Sequence, residues 1–200
     1  MTDYVKELLA INPSYDPDLL EKAFAKASQL HEGQLRISGE PYIIHPMEAM
    51  EIVSTITSDQ ELLAAAALHD TVEDTGVSVE QLRAEFGGRI ADIVASETDP
   101  AEDGRSEKES WRDRKKAGID RLRDSSREVK IVALGDKLSN MRAIARDYAV
   151  QGDGLWSIFH APDPKDHAWR YHALADALRE LDDTPAFREF ETLVEQVFGK

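Results

Sequence analysis

Apolar residues recur along this chain every three or four positions, the period of an amphipathic helix, in segment after segment. "DPDLLEKAFAKASQLHEG" (16–33) opens on Asp16 and Pro17, a helix start signal, and closes at Gly33. Residues 35–44, "LRISGEPYII", carry Ser38, Gly39 and Pro41 as breakers and read as a loop. His45 then precedes a helix with Pro46 in its first turn, "PMEAMEIVSTI". Ser58 and Glu61 have capping-box spacing and predict a helix running to about Asp74, with Gly76 as its stop. Ser78 and Gln81 repeat the device before "VEQLRAEF", which Gly87–Gly88 ends. Further helices are predicted over "RIADIVASE", about 106–123, about 127–149, "DHAWRYHALADALREL" and "PAFREFETLVEQVF". No strand alternation, internal repeat or low-complexity tract interrupts the series. The expectation is a single all-α domain over residues 1–200, built from eight to ten helices.

Composition narrows the chemistry. An apolar content of 42% suffices for a real core. There is no cysteine, so disulfides, thiolate zinc sites and cysteine nucleophiles are excluded. The N-terminal stretch lacks a basic segment followed by an apolar run, and no apolar stretch is long enough to span a bilayer; a cytoplasmic protein is expected. The net charge of −15 argues against nucleic acid or an anionic membrane as partner. Residues 105–130 depart from it, holding ten of the 24 Lys and Arg against six acids, a local +4. Such a segment either focuses an anionic ligand or forms a solvated helix laced with ion pairs.

The stretch "AAAALHDTVEDTG" (64–76) puts His69, Asp70, Glu73 and Asp74 at the end of a helix with almost no polar face. Positions i, i+1, i+4 and i+5 form adjacent rows on one side of a helix. Ionised carboxylates buried without partners are strongly destabilising, and a divalent cation removes that difficulty. Imidazole and carboxylate without thiolate suit Mn²⁺, Fe²⁺ or Zn²⁺. The plainer alternative is a helix end with solvated acids and a satisfied histidine. Two features favour the cation. His45 stands at a helix start 24 residues before His69, and Asp136 interrupts the apolar helical run of "KIVALGDKLSNMR". One histidine, a His-Asp pair and one aspartate from three helices would enclose a cation and leave positions open for water and substrate.

Four segments carry a resemblance: "LHEGQLRISGEPYIIHP" (30–46), "ALHDTVEDT" (67–75), "FGGRIADIV" (86–94) and "VKIVALGDKLSNMRAI" (129–144). In their order and spacing the chain resembles HD-domain hydrolases of the RelA/SpoT type, in particular the small alarmone hydrolases that lack the nucleotide-synthesising domain. The resemblance implies metal ligands His45, His69, Asp70 and Asp136, one divalent cation per site, usually Mn²⁺, and an acidic pair, Glu73 and Asp74, beside the catalytic water. It implies contacts to base or ribose from Arg36, Ser38 and Asn140, with Arg142 in the same motif, and a buttressing role for His31. Substrate phosphates also need cations, which the basic segment offers in Arg112, Arg114, Lys115, Lys116 and Lys130. The implied reaction is metal-dependent hydrolysis of the 3′-pyrophosphate of (p)ppGpp, giving GDP or GTP and pyrophosphate. Its implied roles are alarmone turnover or the neutralising of a toxic alarmone synthetase through its product.

The chain also departs from the family pattern. Ile37 stands where members commonly have lysine in "RKSGEPY"; Ala133 and Gly135 stand where "VKLAD" has lysine and alanine. Both lysines are expected near the nucleotide, so the departures leave guanine and adenine open as the base. Alternatives are an HD phosphohydrolase for (p)ppApp or another nucleotide, and a non-catalytic, antitoxin-like module binding a nucleotide or protein. Trp156, Phe159, Trp169 and Tyr171 are expected to pack a terminal helix onto the core or to cap the pocket. His160, His167 and His172 are expected as surface or packing residues rather than ligands. No feature of the sequence specifies an oligomeric state.

Overall fold

The computed structural model describes residues 2–98, 107–159 and 161–199, with residues 107 and 108 described in backbone alone. His160 and the start of the basic segment, with Arg105, lie outside the described residues. The helices run in the order α1 (Asp3–Ile11), α2 (Pro17–Leu30), α3 (Ile44–Ser54), α4 (Gln60–Leu68), α5 (Thr71–Thr75), α6 (Val79–Phe86) and α7 (Gly88–Glu97). They continue as α8 (Glu107–Arg123), α9 (Arg127–Gln151), α10 (Pro164–Ala177) and α11 (Pro185–Phe198), with 3₁₀ turns at Gly152–Ile158 and Arg179–Leu181. Ten of these α-helices among the described residues have eight residues or more, and α5 is a single turn, so the all-α expectation holds. No strand occurs among the described residues; Leu35 and Pro41 form one isolated antiparallel bridge.

Local chemistry sets most of the helix boundaries. Asp16 caps α2 by accepting from the backbone N–H groups of Asp18 and Leu19, with Pro17 at the first helical position. Ser78 and Gln81 form the expected reciprocal box at α6. Two boundaries differ from the sequence pattern. Asp59, not Ser58, caps α4 by accepting from the Glu61 N–H at 3.0 Å. The helix expected to reach Asp74 breaks after Leu68. There the Thr71 hydroxyl donates to the Leu68 carbonyl and the His69 Nδ1–H to the Ala66 carbonyl, competing with the helical ladder. Helix α1 was not in the pattern. Thr2 caps it, and Tyr4, Val5 and Leu8 dock it onto the core, with the Tyr4 hydroxyl donating to the Met47 carbonyl at 2.6 Å.

The centre is α4, whose residues Leu62 to Leu68 are all buried. Helices α2, α3, α7 and α9 pack around it, and α10 and α11 cover the outer side of the bundle. Helix α9 meets α3 closely at Gly135, where an added Cβ would lie 2.8 Å from Val53 Cγ2 and 2.9 Å from the Ala49 carbonyl oxygen. A glycine here lets the two backbones approach, and the next residue is Asp136. Ala133, which stands where the family pattern has a lysine, is wholly buried in the core. Among the described residues no helix is long and apolar enough to cross a membrane.

Candidate metal and nucleotide site

Packing of α3, α4 and α9 brings four side chains to one point. His45 sits in the first turn of α3, His69 and Asp70 in the break between α4 and α5, and Asp136 in the middle of α9. The two imidazole Nε2 atoms approach within 3.1 Å. His69 Nε2 lies 2.9 Å from Asp70 Oδ2 and 3.6 Å from Asp136 Oδ1; His45 Nε2 lies 3.4 and 3.1 Å from the same atoms. Donors about 2.1 Å from one cation stand roughly 3.0–3.4 Å apart in octahedral or tetrahedral coordination. His45, His69 and Asp70 offer three ligand atoms close enough together to hold one metal ion, and Asp136 Oδ1 stands beside the two imidazoles. The second nitrogens are committed elsewhere. His69 Nδ1–H donates to the Ala66 carbonyl at 2.8 Å, and His45 Nδ1–H to the Ser139 hydroxyl oxygen at 2.8 Å. Each ring therefore turns a lone pair at Nε2 toward the shared point.

Behind His45 runs a continuous chain. Ser139 Oγ–H donates to Glu48 Oε2 at 2.7 Å, Arg142 Nη1–H donates to Glu48 Oε1 at 3.0 Å, and Arg142 holds Glu189 of α11 through two further bonds at 2.6 and 2.8 Å. This corrects the placement of Arg142 expected in the substrate motif: it points away from the cavity and is spent on two carboxylates. Lys130 is likewise corrected. Its ammonium is almost fully buried and paired with Glu180 at 2.8 Å, away from the site.

The four-residue cluster floors a cavity of about 210 Å³, which Glu73, Asp74, Lys115 and Asn140 also line. Tyr42 bridges its acids, donating its hydroxyl to Asp70 Oδ2 at 2.6 Å and sharing it with Asp74 Oδ2 at 2.9 Å. Burial, then the Asp70 and Asp74 charges, push the Tyr42 pKa far up, so the phenol remains a donor. Burial, then the Asp70 charge, raise the Asp74 pKa as well, making it the more basic carboxylate. His31 stacks on Tyr42 with ring centroids 4.6 Å apart and donates to Gln34.

The sequence reading missed Tyr42 and four charged residues at this cavity, Glu97, Arg121, Lys137 and Arg170. Lys137 pairs with the outer oxygen of Asp136 and stands 3.6 Å from Glu97. Burial opposes the charge on Lys137, but Asp136 and Glu97 outweigh it and hold the ammonium protonated. A lysine beside the final aspartate was the one legible signal; Glu97 and Arg170 come from helices whose approach no local pattern announces. Of the other cations singled out, Arg114 lines an adjoining cavity with Lys115, whereas Arg112 pairs with Asp166 and covers Trp169, and Lys116 pairs with Asp120.

A second cavity of about 290 Å³ adjoins the first, sharing Tyr42, Asn140 and Arg170. Arg36, Ile37 and Ser38 line it from the 31–43 loop, held by the Arg36 guanidinium donating to Asn140 Oδ1 at 2.8 Å. Asn140 in turn donates to Asp136 Oδ1 at 2.5 Å, so one amide links the two cavities. Phe159 and Tyr171 form part of its wall, while Trp156 and buried His167 pack against each other in the core. His172 is half-buried beside α11.

Residues 23–161 match the family model described as HD domain, and the chain belongs to that family. The matched span holds all four clustered residues. Among its relatives is a guanosine-3′,5′-bis(diphosphate) 3′-pyrophosphohydrolase of Vibrio cholerae, 38% identical over 135 residues, 64% of this chain and 18% of that protein. The enzyme of the same name from Haemophilus influenzae is 39% identical over 126 residues, 59% of this chain and 17% of that protein. The chain thus spans less than a fifth of the length of these curated relatives. A solved metazoan ortholog of SpoT, described as hydrolysing ppGpp, superposes with a TM-score of 0.75 at 25% identity, covering 94% of this chain and 99% of that one.

Proposed function

We propose that residues 1–200 act as one HD-type phosphohydrolase domain that removes the 3′-pyrophosphate of (p)ppGpp, yielding GDP or GTP and pyrophosphate. The observation that carries this reading is the pairing of two joined cavities: one polar, floored by a His/Asp cluster that could hold a cation, the other lined largely by apolar side chains. A nucleotide bearing phosphates on its ribose is divided in the same way. The relatives' named activities support it.

His45, His69, Asp70 and Asp136 hold the cation, and Mn²⁺ suits their mix of imidazole and carboxylate. When bound, the ion supplies positive charge that acidifies a water and stabilises charge on the phosphoryl group. Glu73 and Asp74 take the proton of the attacking water. Tyr42 fixes Asp74 for that task, and the raised basicity of Asp74 fits it. Water adds to the phosphorus on the ribose 3′-oxygen, the 3′-O–P bond breaks, and the leaving 3′-oxygen takes up a proton from solvent to become a hydroxyl. Lys115, Arg121 and Arg170 meet the phosphates, with Arg114 at the adjoining wall. Arg36, Ser38 and Asn140 receive the nucleoside. Destroying this nucleotide also neutralises a synthetase that makes it, without any contact between the two proteins.

The test is the product pattern from ppGpp by ³¹P NMR, with Mn²⁺ and with chelator. GDP and pyrophosphate formed only with Mn²⁺ support the reading; no turnover by folded, metal-loaded protein overturns it.

A further inference from the structure

The apolar cavity has a polar end that the hydrolytic chemistry does not use. Three of the large apolar side chains most exposed to solvent among the described residues, Leu35, Ile37 and Ile158, converge on it. Exposed apolar side chains gathered around one slot suit a flat ring rather than water. Asp147 also lines the slot. It lies on the same stripe of α9 as Asp136 and Asn140, at intervals of four and seven residues, so about 16 Å of helix separates it from the metal-binding aspartate. Its side chain is 24% exposed. Arg146 Nε–H donates to its Oδ1 at 3.2 Å, and Oδ2 accepts no hydrogen bond among the described residues.

We propose that the Asp147 carboxylate reads the far edge of the purine and selects guanine over adenine. The inference rests on the nucleotide reading of the joined cavities. With the 3′-phosphates at the metal end and the ribose passing Asn140, the base enters the slot with its edge furthest from the sugar leading. In guanine that edge presents N1–H and the N2 amino group, two donors that a carboxylate accepts side by side. In adenine it presents the N1 lone pair, which a carboxylate repels, with one amino donor. An ionised carboxylate only accepts, so the discrimination follows from charge and hydrogen-bond polarity together. Ile37 and Ile144 supply apolar surface to the slot and carry no hydrogen-bonding side-chain group of their own.

The substitution Asp147→Asn keeps shape while offering one acceptor and one donor, the complement of adenine. Hydrolysis of ppGpp and ppApp is compared for the wild type and this variant, with GDP and ADP binding followed by calorimetry. The wild type should prefer guanine in both assays. The variant should shift the ratio of kcat/KM values, and the ratio of binding constants, toward adenine by about 10- to 100-fold, the range of one two-bond base contact. Mn²⁺ affinity, measured on both proteins, should be equal and controls for folding. A wild type that treats the two bases alike, or a ratio that moves less than about threefold, overturns the role of Asp147. If neither alarmone is hydrolysed but GDP is preferred to ADP and the variant reverses this, base selection stands and the hydrolase reading falls.

Discussion

His45 shows how a single imidazole is held in one orientation. Its Nδ1–H is held by Ser139, whose own hydroxyl is held by Glu48, so the ring presents Nε2 in one orientation. Ser139→Ala is predicted to weaken Mn²⁺ binding by about tenfold or more. Calorimetric titration checks this, and an unchanged affinity would show that the helix alone orients the ring. Residue chemistry was legible where it was out of place. A His-Asp pair on an apolar helix and an acid inside "KIVALGDKLSNMR" announce themselves because burial without a partner is unfavourable. Tyr42, Glu97 and Arg170 did not, because a tyrosine in a loop or a charge at a helix end is ordinary until tertiary packing gives it neighbours. Arg142 and Lys130 failed in the opposite direction. Their motif and charge pointed to substrate, but Glu48, Glu189 and Glu180, distant in sequence, claim them.

Among the elements, the contact of α3 with α9 decides whether a cluster exists at all. Gly135→Ala is predicted to destabilise the fold by about 1–3 kcal/mol, because its methyl meets the Ala49 carbonyl and Val53 without room to move. Denaturant unfolding measures this, and the same shift should loosen metal binding by moving Asp136 relative to His45. Equal stability of variant and wild type would mean that the helices separate freely there. A second tie joins α4, α7 and α9 at Arg89, which donates to Asp59, Glu61 and Glu128. The network is about one-third exposed, so Arg89→Ala is expected to lose about 1 kcal/mol or less. The hydrogen bonds from Arg89 hold the Asp59 carboxyl below its ordinary value. A depressed folded-state pKa stabilises above the unfolded value, about 3.9, and that contribution fades as pH falls through the folded one. The stability gap between Arg89→Ala and wild type should therefore be full at neutral pH and close under acid; a gap that widens there contradicts the assignment. Most helices were legible because their caps and periods agree. The break after Leu68 was not, since His69 and Thr71 turn the chain by side-chain bonds to carbonyls that periodicity does not record.

For the whole molecule, the acids gathered at one cavity matter more than the net charge of −15. Asp70, Glu73, Asp74, Glu97 and Asp136 meet there. A cation that binds the folded state alone stabilises by mass action, about 2.7 kcal/mol at a hundredfold excess over Kd, so Mn²⁺ should raise Tm and chelator should reverse it. Asp136→Ala should lose that response; a full Mn²⁺ shift in this variant would place the ion elsewhere. The all-α class was legible from periodicity alone. The meeting of a polar and an apolar cavity at Asn140 was not, because it depends on residues from the 31–43 loop, α9 and α10 that only the folded chain brings together.

The most direct test measures pyrophosphate release from ppGpp and bound metal on the same samples of wild type, Glu73→Gln and Asp136→Ala. Turnover in the wild type, metal without turnover in Glu73→Gln, and neither in Asp136→Ala is the predicted result. Undiminished turnover in Glu73→Gln, or metal and turnover both retained in Asp136→Ala, would contradict it.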